Sequence, residues 1–267
     1  MRLTGLQVGP RPIAATRIGV AIAFVMNAFE VRRILIKLAA GSLSMPTVVP
    51  MPTPTDISVG MWFGACLAAG GLLAIGWRAG LMAGLAAALG ALALMWDMQL
   101  YSNHLLLTTL LSGYLAFAHS DEAWSVSAAL RQREARLVPW WPQFLMMTQL
   151  SICYLFAGLS KINPWWLSGY VLEQNIWWPV PSIGFQIIAA AAIVAETFIA
   201  VGLWIRAARR VALLLGVLLH LGIVAMLRFP IPLVAFALVC ISVYPLYVTR
   251  PRRDAMEDTG HSHTLAG

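Results

Sequence analysis

The sequence predicts an all-α integral membrane protein, a polytopic helical bundle of about eight transmembrane helices. Of its 267 residues, 60% are hydrophobic and 11% are charged, and the mean hydropathy is +0.78. A soluble domain of this length could not bury so much apolar surface. The apolar residues also form runs of about 16–25 residues, the length that crosses a hydrocarbon layer about 30 Å thick.

The predicted spans follow one another with short polar or proline-rich breaks. They lie near 14–36, 58–77, 79–97, 103–118, 142–162, 185–205, 210–228 and 231–248. The first run resembles a signal peptide in having arginines before it, but Glu30, Arg32 and Arg33 interrupt its end, so we assign it as the first membrane helix.

The composition of two of these breaks indicates their structure. The segment 45–54 contains four prolines and cannot be helical throughout. The polar segment 120–136 predicts a short amphipathic helix at the membrane surface. We assign residues 1–250 to one transmembrane domain and residues 251–267 to a disordered cytoplasmic tail.

The distribution of basic residues predicts the orientation. If the N-terminus is cytoplasmic, thirteen of the eighteen Lys and Arg residues lie on the cytoplasmic side and five on the other. The five are Arg32, Arg33, Lys37, Lys161 and Arg228. This bias predicts that both termini are cytoplasmic and that the protein resides in the cell inner (plasma) membrane.

The same distribution indicates which partners to expect. Arginines at helix ends form no continuous basic face, so the lipid bilayer is the expected partner and nucleic acid is not.

Each cysteine falls in a different apolar run, as a core residue would. His104 and His220 lack a second ligand at i+3 or i+4, so no metal is expected.

Lys161 is the most informative residue. It ends the uncharged run 150–160 and precedes Trp165 and its neighbouring tryptophan. A lysine at a helix end can simply snorkel into the headgroups. However, desolvation disfavours the charged amine and can make it a usable base. Tyr154, Gly158 and Lys161 share one helical face, where the glycine would admit a ligand or a neighbouring helix.

A second polar group is predicted at the turn between the third and fourth spans. Asp97 ends one span, and Asn103 and His104 open the next. His104 is either a satisfied interfacial histidine or an imidazole whose tautomer is fixed by Asp97. Glu30 is predicted to form an ion pair with Arg32 or Arg33.

Glu196 and His220 lie in the middle of the sixth and seventh spans. A carboxylate in lipid is costly and is normally neutralised or paired. A role in holding helices together is therefore as plausible as a catalytic role.

These motifs resemble the HTTM domain, the membrane domain of vitamin K-dependent gamma-carboxylases and their bacterial relatives. The central match is the run 154–161, Tyr-Leu-Phe-Ala-Gly-Leu-Ser-Lys, followed by Trp165 and Gly169. Trp-Asp at 96–97, Tyr-Ser-Asn-His-Leu at 101–105 and the region from Glu196 to Leu221 agree as well. The similarity covers roughly residues 14–248 in the expected order.

The resemblance implies a chemistry. In the carboxylases the matching lysine is the base that deprotonates vitamin K hydroquinone, and the oxygenated anion then removes a γ-proton from a peptide glutamate. It implies vitamin K hydroquinone or another quinol as cofactor. We take as candidate catalytic residues Lys161, His104, His220, Asn103 and Asp97. We take as candidate cofactor-binding residues Tyr154, Gly158, Trp165 and Glu196.

Three functions remain open at this point. The leading hypothesis is a membrane enzyme with an outward-facing Lys/His site that uses a quinone-like cofactor and modifies a secreted peptide. The alternative is a non-catalytic membrane partner or chaperone for a secreted peptide or redox protein. A proton-relaying transporter is the third, although the sequence has no inverted repeat.

Overall fold

The computed structural model describes residues 5–49, 51–132, 134–228, 230–249 and 251–253, and it is an all-α membrane helical bundle. Residues 254–267 of the predicted tail lie outside this part of the chain. The described residues include these helices: α1 Arg11–Ala39, α2 Asp56–Ile75, α3 Ala79–Trp96, α4 Asn103–Leu115, α5 Val126–Arg131, α6 Trp141–Ser160, α7 Pro164–Leu167, α8 Tyr170–Asn175, α9 Ser182–Gly202, α10 Arg209–Met226 and α11 Pro230–Tyr247.

A long helix occupies each predicted span except the fourth. Six of the described helices, α1, α2, α3, α6, α9 and α10, are long and apolar enough to cross a membrane. The described apolar part of α11, Ile231–Tyr247, falls below that length. Helix α4 has 13 residues, a length of about 20 Å, and is shorter than the predicted 103–118.

Local sequence signals explain several helix ends. Thr55 and Ser58 form a reciprocal capping box at the start of α2. Gly76 ends α2 in the left-handed conformation, with φ 73°, where a side chain would be strained. The described residues of the proline-rich break 45–54 are not helical, as predicted.

A small antiparallel sheet joins three distant parts of the chain at one end of the bundle. Strand β1 (Leu6–Val8) lies between β2 (Val138–Pro139) and β3 (Arg252–Arg253). Each strand adjoins a long helix, so the sheet holds the adjacent ends of α1, α6 and α11 together. We call this the sheet end of the bundle, and the opposite end the far end.

Helix α1 is the centre of the bundle, packed against α2, α4 and α11. Its approach to α11 is close because Gly19 faces Ser242, and a methyl group at Gly19 would overlap the serine side chain. One turn away, Thr16 Oγ1 donates to the Ser242 carbonyl at 2.8 Å. Small residues and interhelical hydrogen bonds are what bring helices together when lipid removes the hydrophobic driving force.

The predicted surface segment 120–136 is anchored from inside the bundle. It contains a short 3-10 helix, Ser120–Glu122, and then α5. Arg17 of α1 is fully buried, and its guanidinium donates to the carbonyls of Ser120, Ala123 and Trp124. Arg17 is one of the thirteen basic residues on the predicted cytoplasmic side, and it also anchors this segment to α1.

Helix α6 ends beside the middle of α9, where Lys161 meets Glu196. Beyond Ser160 the chain forms the short helices α7 and α8, which pack against α9. Asn163 caps α7 by accepting from the Trp166 amide at 3.0 Å, and Pro164 occupies its first turn. The break places Lys161 at the junction.

Candidate functional site

Lys161 forms an ion pair with Glu196, which joins α6 to α9. Its ammonium nitrogen lies 2.7 and 2.6 Å from the two carboxylate oxygens. The lysine side chain is 20% exposed and the glutamate side chain 8% exposed. A pair so shielded from water keeps most of its Coulomb attraction, and the desolvation of two charges opposes it.

The lysine does not snorkel out of the bundle. Its Nζ turns back along α6 to donate to the Ala157 carbonyl at 3.1 Å. The partner Glu196 is well inside α9, which runs from Ser182 to Gly202. The amine therefore points inward, contrary to the alternative in which it anchors α6 in the headgroups.

Of the two tryptophans after Lys161, Trp166 makes the contact. The ammonium lies 5.1 Å from the Trp166 ring centroid, in a cation–π arrangement. The Trp166 indole donates to the Ala189 carbonyl of α9 at 3.0 Å, which fixes the ring. Trp165 is 71% exposed and packs against Tyr170. A cofactor that contacts Trp165, as the sequence predicts, would have to bind at the exposed surface of the bundle.

A buried tyrosine–histidine cluster lies further along the same face of α6. The Tyr154 hydroxyl is 2.7 Å from His220 Nε2 of α10 and 2.6 Å from the Tyr244 hydroxyl of α11. Tyr154 is 3% exposed and His220 is 1% exposed. His220 Nδ1 is buried and has no hydrogen-bond partner among the described residues.

Two glycines make these contacts possible. A methyl group at Gly158 would lie 2.8 Å from Thr197 Oγ1, so this glycine admits α9 rather than a ligand. A methyl group at Gly216 would overlap the Tyr244 hydroxyl. Close helix approach thus positions both Glu196 and Tyr244.

At the far end, His104 pairs with Glu30 of α1. The His104 Nε2 atom lies 2.7 Å from Glu30 Oε2 and 3.1 Å from Ser102 Oγ. The predicted pair of Glu30 with Arg32 or Arg33 is wrong, since Arg32 instead covers the ring of Phe63. Helices α1 and α4 are in contact, which brings Glu30 to the imidazole.

Asp97 does not orient His104, so that alternative of the two left open by the sequence is excluded. Its carboxylate accepts from Ser44 Oγ and the Met45 amide, both at 2.8 Å, and from the Gln99 amide at 2.9 Å. Asp97 is 1% exposed, and it fastens the segment after α1 to the turn after α3. Burial raises its pKa, but the hydrogen bonds from Gln99, Ser44 and Met45 outweigh that effect and lower the pKa below its usual 3.8.

Replacing Asp97 with asparagine is expected to loosen this turn by about 1–2 kcal/mol, since hydrogen bonds to a charged acceptor are lost. A carboxyl whose folded pKa is depressed stabilises the fold above its unfolded pKa, and the contribution disappears as pH falls through the folded value. The protection of the Met45 and Gln99 amides, measured relative to intrinsic exchange at each pH, should therefore fall in acid in the wild type and be low at every pH in the variant. Exposed Asp56 replaced by asparagine is the control, and equal exchange in all three proteins would contradict this role.

The predicted site residues therefore form two separate groups. In the first group, Lys161 and Tyr154 share one face of α6 and contact Glu196 of α9 and His220 of α10, respectively. His104, Asn103 and Asp97 lie at the α3–α4 turn, where the Tyr101 hydroxyl donates to Asn103 Oδ1 at 3.3 Å. In the described part of the chain, no hydrogen bond or ion pair recorded for these residues joins the two groups. The two imidazoles are not gathered at the amine.

Sequence reasoning missed three residues of these groups. Tyr244 is a polar side chain in an apolar helix, a signal that could have been used. Two tryptophans were expected near Lys161, but the sequence did not indicate that Trp166, rather than Trp165, makes the contact. Glu30 was recognised as a charge in need of a partner, but the partner was misassigned.

A comparison with known families finds a match over most of the chain. The family model described as HTTM domain matches residues 13–251. No solved structure matches this chain.

Proposed function

The chain belongs to the HTTM domain family, which is associated with vitamin K-dependent carboxylase-like membrane proteins, and on that basis we propose that it is a membrane enzyme in which the Lys161–Glu196 pair accepts a proton from a lipid-soluble quinol. The positive-inside bias favours the plasma membrane as its location. The observation that carries the proposal is the ion pair at the end of α6, largely shielded from water.

The pair is suited to accept one proton. Lys161 Nζ contacts both carboxylate oxygens, so one proton can pass between the two residues. When that proton is on Glu196, the Lys161 amine is neutral and is the atom that accepts the proton of the quinol. A general base of this kind contributes about 10²–10⁴-fold to a rate.

The residues also fit a quinol. An uncharged aromatic diol can reach the site through lipid, and the lipid-facing side chains Phe156 (64% exposed) and Trp165 offer it apolar contact. The unpartnered His220 Nδ1 is a polar atom suited to an oxygen of such a molecule. When bound, a quinol supplies two electrons and two protons. Lys161 and Glu196 would hold the proton, and His220, positioned by Tyr154, would orient a ring oxygen.

Oxidation of the quinol by molecular oxygen, which takes up the two electrons, would drive a second reaction, and we propose modification of a secreted peptide, presented directly or through a partner subunit. Carboxylation of glutamate is the specific outcome to look for. Incorporation of labelled carbon dioxide into peptides secreted by producing cells measures it directly. Incorporation that does not depend on this protein would contradict the peptide half of the proposal and leave the quinol half standing.

Lys161 variants in lipid nanodiscs test the base assignment. We expect Lys161→Met to lower the rate of vitamin K hydroquinone or menaquinol oxidation by about 10²–10⁴-fold. Lys161→Arg should be nearly as inactive, because guanidinium stays protonated and cannot accept the proton. Arg210→Met, a basic side chain at the start of α10, is the matched control. Wild-type rates in both Lys161 variants, with the protein still folded, would contradict the assignment.

One observation favours the alternative of a non-catalytic membrane partner. Lys161 is fully engaged by Glu196, Ala157 and Trp166, as a structural ion pair would be. Under this alternative Lys161→Arg retains function in maturation or export of the partner, since charge and reach persist. Retained function in the arginine variant, together with loss in the methionine variant, would favour the partner role over the enzyme.

A further inference from the structure

The number of protons in the tyrosine–histidine cluster indicates which group donates each of its hydrogen bonds. Three groups, Tyr244, Tyr154 and His220, form a chain with two links, of 2.6 and 2.7 Å. A tyrosine hydroxyl has one proton to donate, and a neutral imidazole has one N–H. Counting these three protons decides the direction in which the chain donates.

The imidazole is neutral in this count for a structural reason. His220 is 1% exposed, and its recorded contacts are the Tyr154 hydroxyl and the rings of Tyr154 and Phe236. An imidazolium here would be a buried charge without an acidic partner among the described residues, which is costly.

In the first direction, Tyr244 donates to Tyr154 and Tyr154 donates to His220 Nε2. Both hydroxyl protons are used, and only the N–H on Nδ1 lacks a partner. In the reverse direction, His220 Nε2 donates to Tyr154 and Tyr154 donates to Tyr244. The Tyr244 proton and the Nδ1 lone pair are then both left without partners. In a third arrangement His220 Nε2 and Tyr244 both donate to Tyr154, whose own proton then turns toward the sulfur of Cys240. Sulfur is a weak acceptor, and the Nδ1 lone pair again lacks a partner. A buried polar atom without a partner costs about 1–3 kcal/mol, so the first direction is favoured.

We propose that Tyr154, backed by Tyr244, holds His220 as the Nδ1–H tautomer, so that the imidazole presents a buried N–H donor to an oxygen acceptor. The tautomer follows from the cluster geometry alone. The identification of the acceptor as a quinone or quinol oxygen rests on the proposed function. A single ordered water also has an oxygen that can accept this hydrogen bond, and it is the other candidate acceptor. Tyr154 is then a positioning residue, which acts through His220.

Gly216 is part of this device. Its missing side chain leaves room for the Tyr244 hydroxyl against α10, so Gly216→Ala should displace that hydroxyl. Tyr154 retains its link to His220 in this variant, as it does in Tyr244→Phe. Both variants should preserve the tautomer while weakening the hydrogen bond to Nε2, because linked hydrogen bonds strengthen one another.

Nitrogen NMR of histidine-labelled protein in nanodiscs tests the tautomer, with His220→Gln used to assign the signals. We expect a pyrrole-type signal from Nδ1 and a pyridine-type signal from Nε2. Tyr154→Phe should lose the pyridine-type Nε2 signal and give a mixture of tautomers, whereas Tyr244→Phe should keep it with a small shift. A wild-type Nε2–H tautomer, an imidazolium, or an unchanged spectrum in Tyr154→Phe would overturn the proposal.

Added ligand distinguishes the two acceptors. Nanodiscs free of quinone are compared with nanodiscs containing menaquinone or its reduced form. A shift of the Nδ1–H proton on loading supports a quinone oxygen as acceptor. A proton signal that exchanges with water and ignores the quinone supports the donor assignment with water as acceptor. Neither the nitrogen signals nor the proton shift requires turnover. An inactive Lys161 variant should therefore still show the Nδ1–H tautomer, and failure of the proposed function can be distinguished from failure of this inference.

Discussion

Replacing Arg17 with methionine is expected to lower the free energy of unfolding by on the order of 4 kcal/mol. Methionine fills similar space but donates no hydrogen bond, so two buried carbonyl groups and one partly buried carbonyl group lose their partner, at about 1–3 kcal/mol for each buried group. Those carbonyls belong to Ser120, Ala123 and Trp124, and all three hold the segment before α5 against α1. Loss of the guanidinium should therefore release the segment as well as destabilise the bundle.

Thermal unfolding in detergent, followed by tryptophan fluorescence, measures this effect, and proteolysis near Trp124 reports the release. Arg11→Met is the matched control on the same helix. Arg11 is exposed, so its replacement should change stability by no more than about 0.5 kcal/mol. Similar unfolding temperatures and cleavage rates for the two variants would show that the segment does not depend on Arg17.

The second large effect is expected at the Lys161–Glu196 pair. Lys161→Met leaves Glu196, whose side chain is 8% exposed, without its cation, and this should cost on the order of 3 kcal/mol. Glu196→Leu should cost less, because the lysine is more exposed and its flexible stem can carry the ammonium toward water. The double variant should recover much of the loss, since an apolar pair of similar volume replaces two desolvated charges.

A double-mutant cycle on unfolding free energies provides the measurement. The expected coupling energy is on the order of 2 kcal/mol and favourable, within the range seen for residues in contact. Additive effects of the two substitutions would show that the pair does not stabilise the fold. Oxidation of quinol by the double variant is expected to remain lost, so stability and activity should separate in this one protein.

The architecture could be predicted well because lipid imposes strong rules. Apolar runs, charged interruptions and four prolines placed the helices and the break at 45–54. The fourth span was predicted too long because the apolar residues after Leu115 continue into a turn, and apolar sequence alone does not distinguish the two. The end of α6 was predicted to within two residues, but the short helices α7 and α8 that follow it were not predicted.

The candidate site could be predicted only as a set of residue types. Lys161, Glu196, Tyr154 and His220 were each identified from the cost of polar groups in lipid. Their partners depend on which helices are neighbours and on their vertical register, and spacing along one chain does not encode either. Asp97 illustrates this limit. Proximity in sequence suggested His104 as its partner, whereas three donors from nearby turns satisfy the carboxylate instead.

The contact between Gly19 and Ser242 has a consequence for how the protein is made. The Thr16–Ser242 hydrogen bond joins residues 226 positions apart, so the first long helix leaves the ribosome well before its closest neighbour exists. During insertion, lipid or an assisting factor must cover the small-residue side of α1. Arrival of α11 is then the closing step of assembly. Chains truncated before α11 should be inserted but remain targets for membrane quality-control proteases.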